Sequence, residues 1–160
     1  MKKLKVEIEL DVFDHYQELS NREETLCKAA IMAKKSAYAP YSKFKVGAAV
    51  LLDNGKIVAG SNQENAVYPL GLCAERVAIF SASHQFPTAK IVKLALSTSH
   101  EETDDQLPVF PCGSCRHVIR EQEVRFDSDI EILVVDHAGK VYRMNSITNI
   151  LPFAFDKKAL

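Results

Sequence analysis

Two short motifs carry the residues whose types and spacing could hold a metal ion. Cys73 and Glu75 lie in the sequence Cys-Ala-Glu-Arg, and Cys112 and Cys115 lie in the sequence Pro-Cys-Gly-Ser-Cys-Arg. A structural zinc site takes four cysteine or histidine ligands, whereas a catalytic zinc site keeps one position for water. None of the five histidines repeats the tight spacing of a ligand pair. The three cysteines therefore indicate a zinc ion with an open position.

Glu75 is the natural partner of a water molecule at that open position. In a regular helix Glu75 would point about 200° away from Cys73. Both side chains can face one ion only if Cys73 lies at the helix end, outside the regular turn. Arg76 follows three residues after Cys73, on the same helical face, and could donate a hydrogen bond to its thiolate. Such a donor and the two helix N-termini would offset the net negative charge of zinc with three thiolates.

Each motif by itself also allows other interpretations. An isolated Cys-x-x-Cys can be half of a structural zinc site or a redox pair. The remaining cysteine, Cys27, lies in an apolar helical stretch and is predicted to be a core residue, because free cysteine is among the most buried residue types. A non-enzymatic zinc-binding interaction module therefore stays open, and the presence of Glu75 two residues after Cys73 is the feature against it.

The hydropathy pattern predicts the elements that must position these motifs. Ser20 followed by Glu23 forms a capping box that predicts a helix start at Asn21. The predicted order is helix, two strands, helix, strand, helix and two strands, over residues 21–37, 44–52, 56–60, 73–83, 91–97, 112–122, 130–135 and 140–144. This order favours an α/β domain over residues 1–160, with helices packed on the faces of a mixed five-stranded sheet. Residues 4–12 alternate apolar and charged side chains, which predicts a further strand in an N-terminal extension of residues 1–20.

Composition excludes several classes of protein. The 160 residues are 47% hydrophobic, and 20 basic residues balance 21 acidic ones. A strongly basic nucleic-acid binder is therefore not expected, and no apolar run approaches the length that spans a bilayer. The N-terminus lacks the apolar core of a signal peptide. We expect a cytoplasmic protein whose cysteines are thiols or metal ligands rather than disulfides.

Taken in order, the motifs resemble those of the zinc-dependent cytidine deaminase family in its small three-cysteine form. The resemblance covers about residues 38–155 and rests on five motifs: Tyr41–Ala49, Asn62–Ala66, Cys73–Arg76, Pro111–Arg116 and Leu151-Pro152 leading to Phe155. Deaminases of nucleotides and nucleic acids usually carry histidine where this chain has Cys73, so the chain is similar to the branch that acts on free nucleosides. The fold implied is a three-layer sandwich.

The activity implied by the resemblance is hydrolytic deamination of cytidine and 2′-deoxycytidine to uridine and 2′-deoxyuridine with release of ammonia, a step of pyrimidine salvage. In the family, zinc is held by residues matching Cys73, Cys112 and Cys115. The residue matching Glu75 moves protons between water, the base and the departing amine. The residue matching Arg76 donates to a thiolate.

The resemblance also implies substrate contacts. Asn62 and Glu64 match the pair that bonds the ribose hydroxyls, and Phe44 matches an aromatic residue that packs on the pyrimidine ring. Ala74 would contact the base through its backbone. Tyr68 matches a tyrosine near the site whose role is less defined. From the residues alone, Phe44 could equally be a core strand residue, and the Asn62 motif could be turn chemistry after the preceding strand.

Phe155 matches a C-terminal aromatic residue that enters a neighbouring subunit's site in tetrameric relatives, so we expect a homotetramer with shared active sites. Three positions depart from the family pattern: Phe110 replaces a frequent serine, His117 a common glutamine, and Phe153 a small residue. They leave open a related deaminase with another substrate, either a blasticidin-type antibiotic or a nucleotide. A nucleic-acid editing role is disfavoured by the near-neutral charge.

Overall fold

The computed structural model of the chain describes residues 1–100 and 108–157. Its helices are α1 (Asn21–Ala33), α2 (Ala74–Gln85) and α3 (Gly113–Phe126). Its strands are β1 (Asp11–Phe13), β2 (Phe44–Leu52), β3 (Ile57–Ser61), β4 (Ile91–His100), β5 (Glu131–Val135) and β6 (Val141–Met144). The strands form one mixed sheet in the order β1-β6-β5-β4-β2-β3. The pair β4–β5 is parallel, and the other four pairs of described strands are antiparallel.

Helices cover both faces of the sheet, as the sequence predicts. On one face, Ile79 of α2 and Ile119 of α3 belong to a buried cluster with the side chain of Val50. On the other face, Leu26 of α1 belongs to a second cluster with Leu51. Consecutive residues of β2 therefore point into different cores, which is why this strand is apolar at nearly every position. The three-layer α/β prediction is confirmed.

The predicted strand over residues 4–12 is wrong for most of its length. Residues 1–10 contain no regular secondary structure, and only Asp11–Phe13 forms a strand, which pairs antiparallel with β6. Arg143 of β6 anchors this pairing, because its guanidinium donates to the Asp11 carboxylate at 2.8 Å and lies 4.7 Å from the centre of the Phe13 ring. The extension thus adds a sixth strand to the five predicted for the sheet.

Helix α1 begins where its capping box predicts but ends earlier than residue 37. The main-chain N–H of Ser20 donates to the Glu23 carboxylate at 3.1 Å. After Ala33 the chain tightens into a short 3-10 turn, Lys34–Ser36, closed by a hydrogen bond from the Ala37 N–H to the Lys34 carbonyl at 3.1 Å. The turn redirects the chain toward β2, so the regular helix cannot continue.

Cys27 of α1 is fully buried in the core, as the sequence predicts. Burial, together with the nearby charges of Glu23 and Glu24, raises the pKa of its thiol to about 12. This cysteine is therefore a small apolar core residue rather than a ligand or a reactive thiolate. No described helix combines the length and the apolar character that crossing a membrane requires.

A partly buried ion-pair network joins α1 to the sheet. The Lys93 ammonium lies 2.7 Å from the Glu23 carboxylate and 2.6 Å from the Glu131 carboxylate. Burial by itself raises the pKa of Glu23, but the hydrogen bonds from Lys93 and Ser20 outweigh burial and lower the pKa to about 2. The ionised carboxylate is therefore the form that the folded chain favours.

This ion pair should make stability depend on pH. Because the folded-state pKa of Glu23 is about 2 and its ordinary value is 4.5, the carboxylate stabilises the fold above about pH 5 and loses that effect as the pH falls toward the folded value. In urea denaturation, the stability difference between wild type and Glu23→Gln should shrink from about pH 6 to about pH 3. Glu24→Gln controls for the loss of one charge. A difference that stays constant or grows with acidification would contradict the prediction.

Candidate active site

Three cysteine sulfurs meet where α2 and α3 begin. The Sγ atoms of Cys73, Cys112 and Cys115 all lie within 4.8 Å of one another, and those of Cys73 and Cys112 are 3.9 Å apart. Tetrahedral zinc with sulfur ligands at about 2.3 Å holds its sulfurs about 3.8 Å apart. Cys115 is fully buried, and the other two sulfurs face the cavity described below. The donor type and the spacing both fit zinc.

The local backbone explains how two motifs that are far apart in the sequence bring their sulfurs together. Cys73 and Cys112 are the N-cap residues of α2 and α3, with extended backbone conformations, and Cys115 follows in the first turn of α3. The positive ends of both helix dipoles therefore face the sulfur cluster and favour negative charge there.

The Cys73 thiol ionises more readily than the Cys115 thiol. A hydrogen bond from Cys115, opposed by burial and assisted by Arg76, lowers the pKa of the Cys73 thiol to about 5. The same hydrogen bond, with burial, raises the pKa of Cys115. A thiolate next to two further sulfurs is the state that a thiophilic cation would bind.

The Glu75 side chain lies beside the sulfur cluster, on the wall of the same cavity. Because Cys73 has the extended conformation of an N-cap, at φ −69° and ψ 151°, it lies outside the regular turn. That is the condition under which the sequence allows Cys73 and Glu75 to face one ion. The Glu75 side chain is buried, with 4% of its surface exposed, and it lines one cavity with Cys73 and Cys112. Burial, and secondarily the charge of Cys73, raises the pKa of this carboxyl.

Gly60 of β3 allows α2 to approach the sheet closely enough to hold this arrangement. A Cβ atom at this position would lie 2.6 Å from the Ala78 nitrogen and 3.0 Å from the Ala74 oxygen. We expect Gly60→Ala to displace the first turn of α2 and to lower the free energy of unfolding by about 1–3 kcal/mol. Gly113→Ala is the control, because a Cβ there meets nothing within 4 Å. Equal stabilities of Gly60→Ala and wild type in urea denaturation would contradict this prediction.

Arg76 supports the sulfur cluster from the side. Its Nη2 atom donates to Cys73 Sγ at 3.8 Å and to the Gly71 carbonyl at 3.3 Å. Its Nε atom is buried and has no hydrogen-bond partner among the described atoms. Zinc bound by three thiolates has a net charge of about −1. The positive charge and the unused N–H of Arg76 would stabilise that negative charge.

Removing Arg76 should weaken the site without unfolding the chain. We expect Arg76→Ala to lose zinc to a competing chelator about 10–100 times more readily, the range found when a hydrogen-bond partner of a ligand is removed. Arg22→Ala, at an exposed position of α1, is the matched control. Full zinc retention together with unchanged turnover in Arg76→Ala would contradict the role.

The cavity next to the cluster has a volume of about 630 Å³. The structure brings Phe44, Asn62 and Glu64 to its wall, together with Glu75 and Tyr68. The sequence groups these residues only through the family resemblance, since up to 31 positions separate them. The remaining described residues that line the cavity are Tyr41, Ser42, Val46, Gln63, Asn65, Gly71, Leu72, Cys73, Arg76, Leu96, Thr98, Val109, Phe110 and Cys112.

Asn62 and Glu64 on the cavity wall are held by main-chain groups. The Asn62 side chain accepts from the Val46 N–H at 2.8 Å and donates to the Phe44 carbonyl at 2.9 Å. The Glu64 carboxylate accepts from the N–H groups of Tyr41 and Ser42 at 2.9 and 3.3 Å. Hydrogen bonding to Ser42 is the largest effect on the pKa of Glu64, which is lowered. Both side chains are therefore fixed in direction before any ligand arrives.

Two residues that the resemblance predicts to bind substrate do not line the cavity. Ala74 is fully buried at the start of α2. Phe155 is 66% exposed and lies outside the described wall. The next residue is firmly anchored, because the Arg120 guanidinium donates to the Asp156 carboxylate at 2.7 Å. The terminal segment is thus fixed on α3 while the Phe155 ring faces outward.

Sequence reasoning missed several residues of the wall. Thr98 near the end of β4 carries no motif that marks it. Tyr41 belongs to the first motif, and its ring lies 6.0 Å from that of Tyr68. Phe110, a departure from the family pattern, lines the cavity. Its ring packs edge-on against that of Tyr142, with the two ring centres 6.1 Å apart. Its side chain therefore shapes the wall. The other two departures, His117 and Phe153, are exposed.

Comparison with known proteins decides the family. Residues 20–126 match the family model of the cytidine and deoxycytidylate deaminase zinc-binding region. The chain belongs to this family. A cytidine deaminase from Halalkalibacterium halodurans is 37% identical over 132 residues, which cover 82% of this chain and 92% of that protein. One from Mycobacterium tuberculosis is 38% identical over 126 residues, 79% of this chain and 84% of that protein.

The solved structures agree with this deaminase family membership. The crystal structure of cytidine deaminase from Burkholderia pseudomallei has a TM-score of 0.70 and 37% identity, and the match covers 82% of this chain and 97% of that one. The cytidine deaminase of Mycobacterium tuberculosis matches with a TM-score of 0.62 and 35% identity, over 82% and 95% of the two chains. Zinc is thus the cofactor of this deaminase-family chain, and its three-cysteine cluster fits that ion.

Proposed function

We propose that this chain hydrolyses cytidine and 2′-deoxycytidine to uridine and 2′-deoxyuridine and releases ammonia. The observation that carries the proposal is the position of Glu75, a buried carboxyl on the wall of the same cavity as two of three clustered cysteines. The relatives named cytidine deaminase support the substrate, since they are 36–38% identical over most of the chain. Pyrimidine salvage in the cytoplasm is the role we propose for this reaction.

The residues divide into a metal-holding group and a proton-moving group. Cys73, Cys112 and Cys115 would hold zinc, which supplies a Lewis acid that makes water nucleophilic at neutral pH. Glu75 accepts a proton from the water and donates it to the ring nitrogen beside the carbon that carries the amine. The water oxygen forms a C–O bond to that carbon, and Glu75 takes the remaining proton from this oxygen and delivers it to the amine. The C–N bond then breaks, ammonia leaves, and the oxygen stays as the carbonyl of the product. Burial of Glu75 suits a carboxyl that must be both base and acid.

The cavity wall offers groups for the rest of the nucleoside. We assign the ribose hydroxyls to Asn62 and Glu64, whose side chains are already fixed by main-chain hydrogen bonds. Carboxylate and amide groups each retain capacity for additional hydrogen bonds. The half-buried Phe44 ring, at the start of β2, would pack on the pyrimidine. Ala74 would contribute its main chain at the head of α2.

A phosphate group has little to bind in this cavity. Of the described residues that line it, Arg76 alone is basic, and its guanidinium already donates to Cys73 and Gly71. A nucleoside 5′-monophosphate would bring about two negative charges into a wall that carries Glu64 and Glu75. This distribution of charge favours nucleosides over nucleotides.

We propose a homotetramer in which Phe155 reaches a neighbouring subunit's cavity. An exposed phenylalanine beside a firmly anchored aspartate supports this assignment. Size-exclusion chromatography with light scattering tests it on wild type and Phe155→Ala. We expect a tetramer in both cases and weaker cytidine binding in the variant. A fully active monomer would contradict the shared site.

The substrate assignment is tested with a panel assayed by ammonia release. The panel contains cytidine, 2′-deoxycytidine, their 5′-monophosphates and blasticidin S, each with purified zinc-loaded protein. We expect turnover of both nucleosides and far lower kcat/KM for the monophosphates. Higher kcat/KM for a monophosphate or for blasticidin S would overturn the assignment but would leave the deaminase chemistry intact.

A further inference from the structure

The N-terminal arm, residues 2–10, takes no part in the proposed site. The family match begins only at residue 20, and residues 1–9 are exposed and without regular secondary structure. The arm nevertheless has the alternating pattern of a strand, with Leu4 81%, Val6 46% and Ile8 55% exposed. Leu10 is the residue at which the arm joins the domain, because its side chain packs against the core next to β1. The arm is thus strand-like in sequence, and the described residues of its own chain provide no strand beside it.

Four of the five charged residues of the arm are arranged in two blocks on one face. Positions 3 and 5 are lysine, and positions 7 and 9 are glutamate. The Lys5 ammonium contacts the Glu7 carboxylate two residues away, as residues on one face of an extended segment can. The apolar side chains of Leu4, Val6 and Ile8 occupy the opposite face, with Lys2 at its N-terminal end. One face of the arm therefore runs from positive to negative along its length.

When two copies of the arm run in opposite directions, the lysines of one lie beside the glutamates of the other. We infer that the arms of two copies of this chain pair as an antiparallel two-stranded ribbon centred on Val6. In this register Lys3 faces Glu9 of the partner subunit, and Lys5 faces Glu7 of the partner subunit. The symmetry of the pairing repeats both contacts, and opposite charges placed across a strand pair are stabilising.

Other registers place like charges opposite one another or charged residues opposite apolar ones. A shift by one residue sets charged positions against the apolar face. A shift by two residues in either direction sets Lys5 against itself or Glu7 against itself. Parallel, in-register pairing sets every lysine against a lysine. In the centred register, by contrast, each charge of positions 3–9 meets its opposite, with Leu4 beside the partner's Ile8 and Val6 beside the partner's Val6; Lys2 lies at the end of the ribbon, opposite the partner's Leu10.

Cysteine crosslinking of the zinc-loaded chain of 160 residues tests the register. Directly opposed residues of an antiparallel pair have Cα atoms about 4.5–5.5 Å apart, within the reach of a disulfide. With a mild oxidant, Val6→Cys should form a covalent dimer. Leu4→Cys should not, because two copies of position 4 lie far apart in this register. A mixture of Leu4→Cys and Ile8→Cys should crosslink. Wild type controls for the four native cysteines.

Charge reversal tests the cause of the pairing. In the Val6→Cys background, either Lys3→Glu with Lys5→Glu or Glu7→Lys with Glu9→Lys gives positions 3, 5, 7 and 9 charges of one sign, and each should lower the rate of dimer formation at least about tenfold. Mixing the two reversed chains should restore it. Association through other surfaces, or an arm that binds a different partner, would give no Val6→Cys dimer or equal crosslinking at positions 4 and 6. Either result overturns the inference. Because the readout is covalent dimer and not turnover, it stands or fails independently of the proposed reaction.

Discussion

Replacing Glu75 with glutamine is expected to lower kcat for cytidine by about 10²–10⁴-fold, the usual contribution of general acid–base catalysis. The amide has the size of the carboxyl but cannot accept the proton of water or return it to the amine. Burial opposes charge at this position, so a neutral side chain should not unfold the chain. Steady-state ammonia release together with the zinc content of the same sample measures the effect.

The matched control for this variant is Glu121→Gln. Glu121 is an exposed residue of α3, the helix that contains Cys115 and is capped by Cys112, and it lies outside the cavity wall. We expect its kcat to equal that of wild type. Zinc-loaded Glu75→Gln with wild-type kcat would remove Glu75 from the mechanism, whatever the substrate.

The second large effect is expected for Cys115→Ser. Because position 115 is fully buried, solvent water does not reach it to serve as a ligand in place of the lost sulfur. The neutral serine hydroxyl is a far poorer zinc ligand than a thiolate. The loss of zinc affinity should exceed the about 10–100-fold typical when only a hydrogen-bond partner of a ligand is removed. Metal analysis after dialysis, and turnover of the same sample, should both fall to background.

Cys27→Ala provides the control for the cysteine experiment. Cys27 is equally buried but lies in the core under α1, on the opposite face of the sheet from α2 and α3. We expect it to lower the melting temperature while zinc content and kcat stay at wild-type levels. Full zinc occupancy and full turnover in Cys115→Ser would show that the sulfur cluster is not the metal site.

Local patterns predicted most of the elements. The Ser20–Glu23 capping box marks the start of α1, and the apolar run at residues 44–52 marks β2, because these signals depend on a few neighbouring residues. The same patterns predict that Cys73 and Cys112 are the first residues of their helices, whereas both are N-cap residues and the helices begin just after them. The difference matters, since the N-cap position is what lets Cys73 and Glu75 converge.

The sequence patterns do not predict which distant segments of the chain pair or contact one another. The alternation over residues 4–12 predicts a strand, yet only Asp11–Phe13 pairs, because the contacts that hold β1 come from Arg143 at the other end of the chain. In the same way, nothing in the sequence places Thr98 or the Phe110 ring on the cavity wall. Such residues are selected by the sheet order and by packing, which a short motif does not encode.

The most direct test of the central claim is uridine formation from cytidine by purified zinc-loaded protein, followed together with ammonia. The account predicts equimolar uridine and ammonia, loss of both when a chelator removes zinc, and recovery when zinc is restored. Glu75→Gln assayed in parallel should give neither product at the wild-type rate. A fully zinc-occupied, folded protein that forms no uridine would contradict the account and would favour a zinc-binding module without this catalytic activity.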